Sequence, residues 1–278
     1  MKNIFLQNYQ KIREQYKSII DALQETGNEL EIKFILIGAQ SRNVYSSHLE
    51  INKRETKDID YSVQLKEISD WQKLSEYLVS EFGAEQDPEL PYRFKLGDQI
   101  FDIIPFGEFA QNREVVLGDN SMKLSVVGLK EVSEKGTELI ENNCIVSLPG
   151  LCILKLISYS EKPADRKRDF EDFEFLLSNL TDIYGDSIFD DEYFLERMGG
   201  NIDIEILCVS KLGTEMIEII NENDHLLTQI IDALAKELYG RQYDTVDQEY
   251  RNGKQDSLED MTKYRLLAEL RRTIDTNY

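Results

Sequence analysis

Strand-like and helix-like patterning occupy different parts of this chain, and that segregation limits the fold more than any single motif does. Phe34-Ile35-Leu36-Ile37 is a continuous apolar run stopped by Gly38, as expected of a strand covered on both faces. RETKDIDYSV, Arg54 to Val63, ends in strand-like alternation. From Tyr92 to Val127 come YRFKL, then QIFDIIPF behind a Gly97-Asp98 turn signal, then REVVL and MKLSVV. Beyond Leu148-Pro149-Gly150 the spacing becomes helical, through LCILKLISYS, Phe170 to Leu180 and His225 to Leu238. Residues after about 241 are polar and carry no clear period. The expected architecture is α+β over residues 1–147, with a mixed or antiparallel sheet and flanking helices, followed by a helical C-terminal domain over 148–278. With 41% hydrophobic residues in 278 positions, there is enough apolar side chain to fill both cores. At the N-terminus, Phe5, Leu6, Tyr9, Ile12, Tyr16, Ile19, Ile20 and Leu23 predict one amphipathic helix ending near Gly27. Trp71, Leu74, Tyr77, Leu78 and Phe82 predict another after the second strand.

The second strand raises a question of charge. In an extended segment Arg54, Thr56, Asp58, Asp60 and Ser62 share one face, while Ile59, Tyr61 and Val63 take the other. Two ionised carboxylates side by side repel unless a cation lies between them, and a divalent metal is the obvious candidate. A solvated polar face is the plain alternative. Asp102 sits inside Ile100-Phe101-Asp102-Ile103-Ile104, where a carboxylate is costly to bury without a partner. That partner is either a shared metal site or a structural tie to backbone donors or an arginine. Lys155 is the single charge in Leu151-Cys152-Ile153-Leu154-Lys155-Leu156-Ile157; it either meets an anionic ligand, snorkels to water or pairs with an acid.

Small residues at the strand-to-helix turn Gly38-Ala39-Gln40-Ser41 let backbone N–H groups approach a phosphate, although an ordinary turn reads the same way. Together these features fit phosphoryl transfer. Two-metal catalysis needs about three carboxylates converging on ions ~3.5 to 4 Å apart, and a pair at i and i+2 plus one acid from a neighbouring strand supplies them.

In order along the chain, strand-Gly-Ala-Gln-Ser-Arg, R-x-T-x-D-I-D, F-D-I-I-P-F, S-L-P-G-L-x-I-L-K-L and K-R-D-F-E-D-F resemble the nucleotidyltransferase toxins of the AbiEii/AbiGii type, within the DNA polymerase beta superfamily. The similarity runs from about residue 30 to about 240. It implies a nucleotidyltransferase-type mixed sheet, with the helical domain completing a nucleotide site. It further implies that Asp58, Asp60 and Asp102 hold Mg²⁺ or Mn²⁺ and that Asp102 helps deprotonate the acceptor. Lys155 would contact the NTP triphosphate, Ser41 and the backbone of Gly38, Ala39 and Gln40 would hold phosphate, and Arg42, Arg54 and Thr56 would line the pocket. Where the family has K-D-x-x-D-L, this chain has Arg168-Asp169-Phe170-Glu171-Asp172-Phe173. Asp169 and Asp172 share a helix face and would contact nucleotide or orient Lys155, or one of them caps the helix. The resemblance implies a toxin-like role with an antitoxin protein, and an acceptor that is tRNA or another RNA, a protein or a small molecule.

Charge bears on the acceptor. Lys plus Arg number 32 against 53 Asp plus Glu, a net −21, which repels nucleic acid and anionic membrane at long range and attracts a cationic acceptor such as an aminoglycoside. The one basic cluster, Lys162, Arg166, Lys167 and Arg168, is equally well read as a solvated helix end. A nucleotide-binding module without turnover is the remaining alternative. Cys144, Cys152 and Cys208 are widely spaced in apolar company, which predicts buried free thiols in a reducing compartment. MKNIFLQNYQKIREQ becomes charged too soon for a secretory segment, and no run approaches a membrane span, so a cytoplasmic protein is expected.

Overall fold

The structure is a computed structural model and describes residues 2–46, 57–118, 122–190, 203–220, 223–251 and 257–277. These divide into two compact units, Lys2–Leu151 and Cys152–Tyr278.

The first unit is built on a seven-stranded sheet. Its strands are β1 (Phe34–Ile37), β2 (Asp58–Gln64), β3 (Glu85–Gln86), β4 (Arg93–Leu96), β5 (Gln99–Phe106), β8 (Thr137–Ile140) and β9 (Asn143–Val146), in the order β3-β4-β5-β2-β1-β9-β8. The sheet is mixed. β2 runs antiparallel to β1 and parallel to β5, β1 is parallel to β9, and the outer pairs are antiparallel hairpins. Between β5 and β8 in the chain comes a separate two-stranded ribbon, β6 (Glu114–Leu117) with β7 (Met122–Ser125). The apolar FILI run is therefore interior to the sheet, with Ile35 and Leu36 buried.

One face of the sheet is packed with aromatic rings. Phe94 and Phe101 stack across β4 and β5 with centroids 5.4 Å apart, and Trp71 of α4 (Ser69–Phe82) meets Phe94 edge-on. Such pairs add about 0.5–1.5 kcal/mol each beyond burial, and they lock the hairpin whose opposite face carries Asp102. The remaining helices of this unit are α1 (Lys2–Gln15), α2 (Lys17–Glu29), α3 (Gly38–Val44) and α5 (Leu129–Lys135).

The single N-terminal helix expected from periodicity is two. Tyr16 leaves helical ψ (φ −111°, ψ 29°), but its amide still bonds Ile12 O at 2.9 Å and its carbonyl accepts from Ile20 N at 3.0 Å. The apolar spacing thus runs on through a kink that periodicity cannot register. The Tyr16 ring is buried and its hydroxyl accepts from Gln40 Nε2, which ties the kink to α3.

The second unit is helical. α6 (Leu148–Glu161) enters it, followed by α7 (Lys167–Ser178), α8 (Leu180–Tyr184) and a 3₁₀ segment, Gly185–Asp190. α9 (Ile204–Ile220), α10 (Asp224–Arg251) and α11 (Ser257–Asn277) complete it, so the polar stretch after 241 is helical wherever it is described. Gly213 lets α9 approach α11 closely, because a Cβ there would lie 2.9 Å from Thr273 Cγ2. All three cysteines are free and buried, as the sequence predicts. No helix among the described residues is long and apolar enough to cross a membrane.

Candidate metal and nucleotide site

Three pieces of local geometry bring the acids together. In the β2–β5 pair Asp60 lies opposite Asp102, and Asp58 is two residues back on the same face. Parallel partners point their side chains the same way, so all three carboxylates project from one side of the sheet. One oxygen from each of Asp58, Asp60 and Asp102 lies within 4.8 Å of the other two. The third element is the turn after β1. Ile37 pairs with Asp60, and the next residue, Gly38, adopts φ +72°. A Cβ built on Gly38 would lie 2.2 Å from Asp60 Oδ2, so the carboxylate occupies the space that any other residue's side chain needs.

This donor set suits a hard divalent cation. Oxygens on one Mg²⁺ lie about 3.0 Å apart when adjacent and about 4.2 Å apart when opposed, for a Mg–O distance of ~2.1 Å, so an ion shared by all three would draw the carboxylates together. Carboxylates alone, with no sulfur or imidazole among them, are the ligands of Mg²⁺ or Mn²⁺ rather than of zinc.

Arg93 is the site residue that motif reading missed. Its Nε donates to Asp102 Oδ1 and its Nη2 to Asp102 Oδ2, both at 2.8 Å, and Nη2 also reaches Asp58 Oδ2 at 3.3 Å. Burial raises the proton affinity of Asp102, whose side chain is 9% exposed, while the Arg93 hydrogen bonds and charge pull it back down. The same contacts hold the guanidinium protonated. The signal for this pair was present in the Gly97-Asp98 turn. A two-residue hairpin loop makes Leu96 face Gln99, and counting three residues outward on each strand sets Arg93 against Asp102. Gly97 has φ +62°, as such a turn requires.

The side chains of Gln40, Ser41 and Arg42 in the turn face inward. Ser41 is fully buried and its hydroxyl donates to Gly38 O at 2.7 Å. Gln40 and Arg42 are also buried, with Gln40 Nε2 on the Tyr16 hydroxyl and Arg42 Nη1 on Asn43 Oδ1. Ala39 is half-buried in the first turn of α3. Arg54 and Thr56 lie outside the described residues.

In the helical unit Lys155, Asp169 and Asp172 form a buried cluster. Lys155 Nζ donates to Asp169 Oδ1 at 2.7 Å and to Asp172 Oδ2 at 2.8 Å, with side chains only 8%, 15% and 5% exposed. Ser158 Oγ donates to the second oxygen of Asp169 at 3.0 Å. Arg166 occupies the cap position of α7, so neither aspartate caps the helix. Burial acts to lower the Lys155 pKa, but the two carboxylates outweigh it and the group is held above its ordinary value of 10.5.

A raised lysine pKa stabilises the fold below the unfolded value and loses that contribution as pH climbs through the folded one. Lys155→Met is therefore expected to cost about 3–5 kcal/mol at pH 7, since it takes the buried ammonium away from two buried carboxylates. The gap to wild type should shrink in urea denaturation above pH 10.5. A loss under about 1 kcal/mol, at the scale of a surface pair, would contradict the cluster's structural role.

No family model matches the chain, and no curated protein matches it. The AbiEii/AbiGii likeness therefore rests on the motifs alone. Two solved structures of the antibiotic-resistance factor ANT(2'')-Ia are similar. Its solution structure shares 13% identity over 66% of this chain and 95% of that one, with a TM-score of 0.37. A crystal structure in complex with adenylyl-2''-tobramycin shares 13% identity over 58% and 87%, also at 0.37. Likeness at that level decides nothing about fold or chemistry.

Proposed function

We propose that the protein is a divalent-metal-dependent nucleotidyltransferase that moves a nucleoside monophosphate from an NTP to an acceptor hydroxyl. The observation that supports this best is the convergence of Asp58, Asp60 and Asp102 on one sheet face, with the Gly38 side chain eliminated to make room. In this reading Asp58, Asp60 and Asp102 hold Mg²⁺ or Mn²⁺, which neutralises triphosphate charge and lowers the pKa of the attacking hydroxyl. The acceptor oxygen forms a bond to the α-phosphorus as the bond to the pyrophosphate oxygen breaks, and pyrophosphate leaves. Asp102 would also help to deprotonate the acceptor hydroxyl. Backbone N–H groups at Gly38, Ala39 and Gln40 contribute to phosphate binding. Ser41 and Arg42 brace the turn from inside, with Arg54 and Thr56 as further lining residues. Lys155 would contact the triphosphate, with Asp169 and Asp172 orienting its ammonium or contacting nucleotide themselves.

The motif order supports a toxin-like role with a cognate antitoxin and an RNA acceptor. The net charge of −21 favours a second reading, a cationic small-molecule acceptor such as an aminoglycoside. Incubation with labelled NTPs, Mg²⁺ and either total RNA or an aminoglycoside panel decides between them by which product carries label. Label on RNA supports the toxin-like role and label on the drug the small-molecule one. Tight NTP binding without pyrophosphate release against any acceptor would overturn both in favour of a binding module.

A further inference from the structure

Arg93 does more than neutralise a buried acid. Its planar fork covers both oxygens of Asp102, and one of the same nitrogens reaches across to Asp58. Those are two of the three carboxylates whose oxygens converge. The guanidinium therefore draws on the same negative charge that a divalent ion would use. Its side chain is 30% exposed, so Arg93 is only partly buried beside the cluster.

We propose that Arg93 is an internal counter-ion that competes with the divalent cation for Asp58 and Asp102, which weakens the hold of the site on free metal. The proposal rests on the reading that these acids bind a divalent ion. Two physical terms set its sign. Without Arg93 the charge of Asp58 and Asp102 is less compensated, which raises the free energy of the metal-free site and so strengthens metal binding. A guanidinium beside the ion also repels it directly, and that repulsion disappears with the residue. Loss of the fork gives Asp102 more rotamer freedom, which opposes both terms; a chelating ion restores that order on binding.

The test is a titration of the metal-free full-length protein with MnCl₂, followed by calorimetry or by the electron paramagnetic resonance of free Mn²⁺. Arg93→Gln removes the charge. It should lower the melting temperature of the metal-free protein, tighten the Mn²⁺ dissociation constant at least about tenfold, and enlarge the rise in melting temperature on adding Mn²⁺. Arg93→Lys keeps the charge and loses the fork, so its Mn²⁺ affinity should stay within about threefold of wild type. It also serves as the folded comparison should the glutamine variant fail to fold.

If Arg93 only positions Asp102, both variants bind Mn²⁺ more weakly, and the proposal is overturned. If it is only structural, the metal-free protein melts earlier while the dissociation constant is unchanged, which overturns it equally. Wild type that binds Mn²⁺ alongside an Arg93→Gln variant that binds no tighter refutes the counter-ion role and leaves the metal site standing. No binding by any of the three proteins refutes the counter-ion role and the metal site together.

Discussion

Asp60→Asn is expected to lower NMP transfer at least about a thousandfold while leaving the protein folded. Asparagine keeps the shape of aspartate and the β2 pairing with Ile37 and Asp102, so nothing in the strand register changes. It removes one of three converging charges at nearly unchanged side-chain size. The protein should therefore stay folded as activity disappears. That combination separates a lost ligand from a damaged fold. Labelled-NMP transfer and thermal melting on the same preparation measure both, and turnover near the wild-type rate would remove Asp60 from the chemistry.

Gly38→Ala should damage both properties. A non-glycine residue at φ +72° costs about 1–2 kcal/mol on its own. The new methyl would also lie 2.2 Å from Asp60 Oδ2 and 2.8 Å from its Cγ, so the carboxylate must turn away or the turn must retreat from β2. Total destabilisation of about 2–4 kcal/mol is expected. Because a shift of about 1 Å at a reacting centre costs on the order of a hundredfold, transfer should fall by at least that much. Gly83→Ala is the matched control. It too has positive φ, 67°, but nothing lies within 4 Å of the added Cβ, so it should pay the backbone strain alone with unchanged transfer. Equal effects of the two substitutions would show that Gly38 serves the turn and not the carboxylate.

Much of this was legible in the residues. FILI stopped by glycine, D-x-D in an alternating strand, and an aspartate inside QIFDIIPF each implied a strand and a face, and the sheet brings those faces together. The need of Asp102 for a partner was also legible, because a lone acid in an apolar run must be tied to something. Naming that partner required the register, which the Gly97-Asp98 turn encodes but which no local pattern displays. Periodicity failed where it carries no information. A kink at Tyr16 leaves apolar spacing intact, and the short strands Thr137–Ile140 and Asn143–Val146 alternate too briefly to stand out. In the last helix Leu267, Leu270 and Ile274 do recur at helical spacing and are buried, a stripe that the polar residues around it hide.

Ser41 illustrates a different limit. Its place in the turn sequence fits a phosphate ligand, yet the hydroxyl folds back onto Gly38 O and the side chain is sealed from solvent. Sequence places a residue on a turn without fixing which way its side chain rotates. Lys155 was legible as a lone charge that meets an anionic ligand, water or an acid, and the structure pairs it with Asp169 and Asp172.

The most direct test is a crystal soaked with MnCl₂ and an NTP and measured at a wavelength where manganese scatters anomalously. The account predicts a manganese peak within ~2.2 Å of oxygens from Asp58, Asp60 and Asp102, with the triphosphate beside it. An ordered triphosphate bound elsewhere, with no manganese between those three side chains, would contradict it.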